Sequence, residues 1–344
     1  MNKRLDYLDS IRGVAALLVV IHHIFEVFIT HNAANYPLLE EIFNSINIGR
    51  LGVIVFFITS GFVIPWSLKS DKPHVLKNFM IKRFFRLYPA YWFSIIAAVV
   101  IGFGFDVNLI STSQVLLNFT MIHKFLGVES VIGAYWTLHL ELVFYVICAV
   151  FCYFGVLQNN KYLISVFILF CLFSIAFSYI RYAYGIRVPI MMSLGLALMF
   201  YGAVLRNYLL EKQETLKNPL IILTVFYFTC LLISQKFYYS DGWVRWFVTH
   251  VFSFVLFFTL VTKVKLNNIL AVYLGRISYS LYLLNPLAIG VIFYLFGDFA
   301  FTNIGFMLVI LTTLLSSILI AAISYRFIEQ PSLVLARKFT AKYR

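Results

Sequence analysis

Residues 303–325, NIGFMLVILTTLLSSILIAAISY, contain no charged side chain. A run of this length suffices to cross a hydrocarbon layer of about 30 Å as a helix. Apolar windows bounded by charges or turn residues recur at about 11–28, 52–68, 90–105, 134–154, 162–179, 188–206, 219–234, 244–261 and 277–296. These ten runs constrain the chain more than any other feature. Because they are continuous and do not alternate every second position, they exclude a transmembrane barrel. The composition agrees: 62% hydrophobic, 19% aromatic and only 12% charged residues, with mean hydropathy +0.90. Ordinary soluble domains carry about twice that charge, and disordered chains lack such aromatic content. The expected fold is all-α, a polytopic bundle of about ten transmembrane helices formed by one domain over 1–344.

The net charge of +13 does not point to nucleic acid, because the basic residues lie dispersed among the spans and at their ends. Counting them on alternate sides puts all 27 on one face except Arg50, Lys124, Arg181, Arg187, Lys236 and Arg245. An even number of spans with both termini cytoplasmic follows from this asymmetry. The first span has a basic start but no small-residue cleavage site after it, so it reads as a retained helix. No appended soluble module is expected. Cys148, Cys152, Cys171 and Cys230 lie inside apolar runs without a C-x-x-C pair, as packing residues would. The histidines do not cluster at metal-ligand spacing, so no metal site is expected. The connection from about 106 to 133 is the longest, and Gln114 to Phe125 is amphipathic enough to lie at the interface or dip into the protein.

Ionisable groups within a span are costly and therefore candidates for function. The first span offers Arg12, His22, His23 and Glu26. His23 lies about 16 Å along the helix from Arg12, and a neutral imidazole there suits a general base. Equally, it suits a simple hydrogen bond to a neighbouring helix. Ser60 and Gly61 allow close helix packing, and Glu141 needs a partner or a proton. Asn285-Pro286 reads as a backbone break lining a pocket, or as a packing kink. Along His74–Pro89, Arg83 and Arg86 share one helix face, where their guanidinium forks suit phosphate oxygens, either of a polyphosphate ligand or of anionic lipid heads.

Five ordered motifs unite these clues: Leu5 to His23, GVIVFFITSGFVI from Gly52, KRFFRLYP from Lys82, WTLHLELVFY from Trp136 and GRISYSLYLL from Gly275. The order and content resemble the acyltransferase-3 family, membrane-bound O-acyltransferases of bacterial surface glycans, over essentially the whole chain. That resemblance implies a catalytic base at His23, separated by ten residues from Arg12, which would help hold the acyl donor. It assigns Arg83 and Arg86 to the phosphates of acyl-CoA, with Pro89 shaping the segment. Glu141 enters as a catalytic candidate, and Ser60, Trp136 and Asn285 as site-lining residues. Asn285 stands where many members have a second His, so it is left to hydrogen-bond an acyl carbonyl or a sugar.

The implied reaction moves an acyl group, acetyl by default, from cytosolic acetyl-CoA or another acyl-CoA to a hydroxyl of a surface polysaccharide or lipid-linked sugar. No bound cofactor is implied, and the location is the bacterial cytoplasmic (inner) membrane. Membrane lipids and glycan-assembly proteins are the other expected partners. The rival readings are a transporter or flippase of glycan or lipid-linked sugar, which gives no reason for the paired arginines, and a polymerase of lipid-linked units, for which the outer loops are short.

Overall fold

The computed structural model describes residues 5–32, 35–69, 74–104, 111–186, 188–238 and 242–341. Among the basic residues counted for orientation, Lys3, Arg4, Lys72, Arg187, Lys342 and Arg344 lie outside the described residues, as does the start of the long connection. The described chain is helical: α1 (Asp6–Asn32), α2 (Pro37–Ser45), α3 (Ile48–Val63), α4 (Val75–Gly104), α5 (Thr112–Asn118), α6 (Trp136–Tyr153), α7 (Asn160–Tyr184), α8 (Ile190–Leu209), α9 (Lys217–Tyr238), α10 (Trp243–Phe258), α11 (Ile269–Phe296), α12 (Asn303–Ser324) and α13 (Gln330–Ala341). Among the described residues, ten helical segments are long and apolar enough to cross a membrane, one over each expected window. Side-chain oxygens of Asn47, Asn159, Asn268 and Thr302 accept from backbone N–H groups at the starts of α3, α7, α11 and α12, so each begins where an orphan donor finds an acceptor.

Three local expectations change. The basic stretch before Pro89 and the lean span after it form one 30-residue helix, α4, with Pro89 inside it. Asn285-Pro286 does not break α11, which stays helical for 28 residues. Proline has no N–H to offer the carbonyl of Tyr282, and Asn285 supplies one instead: its side-chain Nδ2 donates to the carbonyls of Tyr282 at 2.8 Å and Leu281 at 3.0 Å. Thirdly, α2 is an additional amphipathic helix with no buried residue, standing ahead of α3.

The chain forms two compact units, each assembled from separated stretches. Unit 1 comprises 1–40, 72–139 and 267–344. Within it α1 and α11 lie side by side and parallel, since Gly275 abuts Asp9 near their starts and Phe28 meets Phe293 at 5.1 Å further on. A methyl group on Gly275 would fall 1.8 Å from the Asp9 carbonyl oxygen, so only glycine permits the approach. Helix α12 runs antiparallel to α11, with Ser324 3.2 Å from Ser280, and α13 folds onto α4 by stacking Phe339 on Phe85. The described part of the long connection dips into the protein at Asn118, Met121 and His123, which are fully buried. Carbonyls of Asn118, Phe119 and Thr120, left over at the end of α5, accept from Tyr91, Trp92 and Tyr88 midway along α4.

Unit 2 comprises 41–71 and 140–266. Its central helix is α8, buried along nearly its whole length, as a helix apolar on all sides must be. Gly61 of α3 and Gly202 of α8 bring the two main chains together, for an added Cβ would meet the Met199 carbonyl at 1.7 Å and the Ile58 carbonyl at 2.2 Å. Hydrogen bonds then tie α7 and α9 to α8 and to each other: Asn207 to Asn160 to Gln213, Ser174 to Ser234, and Tyr201 to Thr224.

Candidate active site

Six of the eight residues singled out in the sequence fall in unit 1: Arg12, His23, Arg83, Arg86, Trp136 and Asn285. Ser60 and Glu141 fall in unit 2.

Helix α1 carries the first pair. Arg12 is half-buried, next to the glycine at which α1 presses on α11. Eleven residues on, His23 keeps 33% of its side chain exposed, and its Nδ1 lies 3.0 Å from the Oε2 of Glu26. A carboxylate only accepts, so Nδ1 donates, and in the neutral ring the lone pair is on Nε2. The i, i+3 spacing puts both side chains on one helix face. The imidazole is thus oriented and its tautomer set by a carboxylate, the arrangement that makes a histidine a general base. Glu26 was visible in the sequence as an ionisable residue of the span, but no motif marked it as the partner of His23.

Helix α11 lies alongside. From the Phe28–Phe293 contact, His23 comes level with the turn after Asn285, about 5 Å beyond it along the helix axis. Asn285 is fully buried, and its amide nitrogen is engaged by two carbonyls of its own helix, an assignment both contacts require. Among the described residues its Oδ1 has no hydrogen-bond partner. The residue therefore offers an acceptor and no donor, which suits a hydroxyl or N–H; the alternative of a bond to an acyl carbonyl loses its donor. One turn earlier, Tyr282 donates to the Ala134 carbonyl at 2.9 Å and receives the Thr137 hydroxyl at 2.9 Å. This fixes the start of α6, and with it the half-buried Trp136, against α11.

Helix α4 brings the arginines. Arg83 lies partly exposed, its guanidinium 5.2 Å from the centre of the Phe79 ring. Arg86 points differently. It is ion-paired with Glu329 and stands 5.8 Å from the Tyr279 ring. Glu329 is buried, and its other oxygen accepts from the Ser280 hydroxyl at 2.9 Å. Sequence reasoning missed Glu329, although a signal existed: it is the only acidic side chain after Asp298, just past the C-terminal end of the last apolar run. A π-turn over Tyr325–Glu329, where one extra residue is wound into the helix, sets its direction.

In unit 2, Glu141 is half-buried and accepts from the hydroxyl of Tyr145, one turn along α6; among the described residues no cation pairs with it. Ser60 is half-buried beside Gly61, whose close approach to α8 accounts for the small residue there. One more cluster was not foreseen. In the dipping connection of unit 1, His123 and His139 meet edge to face at 4.6 Å between ring centres. His123 Nε2 bonds the Ser130 hydroxyl at 2.9 Å, and His139 Nδ1 donates to the Tyr135 carbonyl at 2.9 Å. Burial, reinforced by His139 and Lys124 and opposed by Glu129, pushes His123 down to about 4.

Comparisons with known proteins bear on the family. A family model described as an acyltransferase domain matches residues 5–326. The chain is 25% identical over 289 residues to the protein named acetyltransferase ORF330 of Acidianus two-tailed virus, covering 82% of this chain and 83% of that one. It is 29% identical over 150 residues to acyltransferase MdmB of Streptomyces mycarofaciens, covering 41% of this chain and 38% of that one. No solved structure matches. With a family match over nearly its whole length and ten apolar helices to carry it, the chain belongs to the acyltransferase-3 family of multi-pass membrane acyltransferases.

Proposed function

We propose that the protein transfers an acyl group, acetyl by default, from acyl-CoA on the cytoplasmic side of a bacterial inner membrane to a hydroxyl of a surface polysaccharide or lipid-linked sugar. The observation that carries this reading is the His23–Glu26 pair, an oriented imidazole with its lone pair on Nε2, on a helix that also presents Arg12. His23 Nε2 takes the acceptor's proton as its oxygen attacks the thioester carbonyl, the C–S bond breaks, and the thiolate leaves with that proton as free CoA thiol. Glu26 stabilises the imidazolium formed in between. Arg12 and, on α4, Arg83 hold the donor, whose phosphates suit guanidinium forks. Asn285 Oδ1, an acceptor about 5 Å from the level of His23, suits an acceptor-sugar hydroxyl. Glu141 and Ser60 enter on family resemblance alone.

The test uses purified protein in liposomes with acetyl-CoA and a crude surface-glycan extract, following CoA thiol release. Release that depends on the acceptor and is lost in His23→Ala supports the reading. Release undiminished in His23→Ala removes the base assignment, and substrate movement without thiol release in the wild type removes the enzyme.

A further inference from the structure

The two arginines of α4 sit three residues apart, yet their surroundings differ. Arg86 has 17% of its side chain exposed, against none for its partner Glu329. Both oxygens of that carboxylate are engaged, one by Arg86 and one by Ser280, which also lies 3.2 Å from Ser324. Tyr279, whose ring faces Arg86, donates its hydroxyl to the carbonyl of Leu87 at 2.9 Å. Arg86 is therefore fastened to α11 and to the π-turn that leads into α13. A phosphate that drew the guanidinium away from Glu329 would leave a carboxylate buried without its cation, which is strongly unfavourable. Arg83, one turn nearer the start of α4, lies across Phe79, beside the exposed Lys82.

We infer that the two arginines are not equivalent: Arg83 docks the donor's phosphates, and Arg86 is a positioning residue, held by Glu329, that keeps α4 in place against α11 just before Asn285. The inference rests on the acyl-CoA reading for its first half; its second half stands on the ion pair alone. Tyr279 and Tyr282 anchor α11 to α4 and to the start of α6, so a loosened Arg86–Glu329 pair shifts the segment that carries Asn285. It leaves the phosphate contact untouched.

The experiment measures thermal stability, acetyl-CoA KM and kcat, and the ratio of affinities for CoA and dephospho-CoA. It uses the full-length protein and its Arg83→Ala, Arg86→Lys, Glu329→Gln and Arg86→Met/Glu329→Leu variants. Arg83→Ala should raise KM at least tenfold and abolish the preference for CoA over dephospho-CoA, with the melting temperature unchanged. Arg86→Lys and Glu329→Gln should lower kcat at least tenfold with KM and the CoA preference unchanged. The double apolar replacement should recover melting temperature without recovering kcat, because a buried ion pair can be replaced by packing but its orienting role cannot. A CoA preference lost in Arg86→Lys, or donor binding tightened in Glu329→Gln, would mean that Arg86 itself takes phosphate and overturns the inference. Should the wild type bind no acyl-CoA, the donor reading and the Arg83 assignment fall together. The Arg86–Glu329 coupling is still decided by melting temperature, where strictly additive losses in the two single variants and the double variant overturn it.

Discussion

Unit 1 and unit 2 are built from the same apolar helices but employ their polar residues differently. In unit 2, Arg206 donates to the Phe62 carbonyl at 2.9 Å and lies 4.3 Å from the Trp66 ring, and asparagines, serines and Tyr201 pair across helices. These groups join segments; the buried Tyr227 hydroxyl and Gln235 amide have no hydrogen-bond partner among the described residues. In unit 1 the polar groups retain chemical capacity: an imidazole aligned by a carboxylate, an amide oxygen without a donor, and a buried ion pair on the helix that bears a second arginine. The comparison teaches that in lipid, where packing supplies little net hydrophobic drive between helices, close main-chain contact and hydrogen bonds make a scaffold. A site needs polar groups that the scaffold leaves incompletely engaged.

The sharpest test of that division is at His23. Replacing it with alanine should lower acyl transfer by about 10²–10⁴-fold without moving the melting temperature, and Glu26→Gln should fall between this variant and wild type. Thiol-release rates beside thermal shifts in detergent check both. Gly61→Leu in unit 2 should do the converse. With main-chain atoms 1.7 Å from the new Cβ, α3 and α8 must part, at a cost above about 3 kcal/mol, seen as lost folded yield. A normal yield there would break the contrast.

A smaller effect concerns the dipping connection of unit 1. His123 titrates near 4 in the folded protein and near 6.5 when unfolded, so its folded surroundings favour the neutral ring. The stability of this segment is complete above about pH 6.5 and declines by ~2 kcal/mol as pH falls towards 4. The facing groups are His139, Lys124 and Glu129. Hydrogen exchange over 111–135 at pH 7 and pH 4.5 should show faster opening at the lower value, and His123→Gln should remove the difference. The smallest effect belongs to Asn285→Leu, which leaves the Tyr282 carbonyl without a donor beside Pro286 and should cost about 1–2 kcal/mol in thermal unfolding.

The ten spans were legible because a helix in lipid must satisfy its own backbone groups, which forces long apolar windows onto the sequence. The elements that escaped were those where a side chain does the backbone's work. Pro286 reads as a break until Asn285 is seen capping the freed carbonyl, and the basic stretch before Pro89 reads as a separate segment until α4 is seen to run through it. Helix α2 escaped because its apolar face is short and leaves no buried residue.

By itself the sequence determined the all-helical membrane fold, the number of spans and the family, since these depend on composition, length and ordered motifs. It also marked His22, His23 and Glu26 as ionisable groups within an apolar run, and the resemblance to the family singled out His23 among them. Tertiary structure alone decided which charges meet. Arg83 and Arg86 are indistinguishable by spacing, and only the return of the chain through α12 and its π-turn, 243 residues later, brings Glu329 to one and not the other. The partner of a buried charge is selected by position in space, because the cost of leaving it unpaired is set by its surroundings and not by its neighbours in the chain.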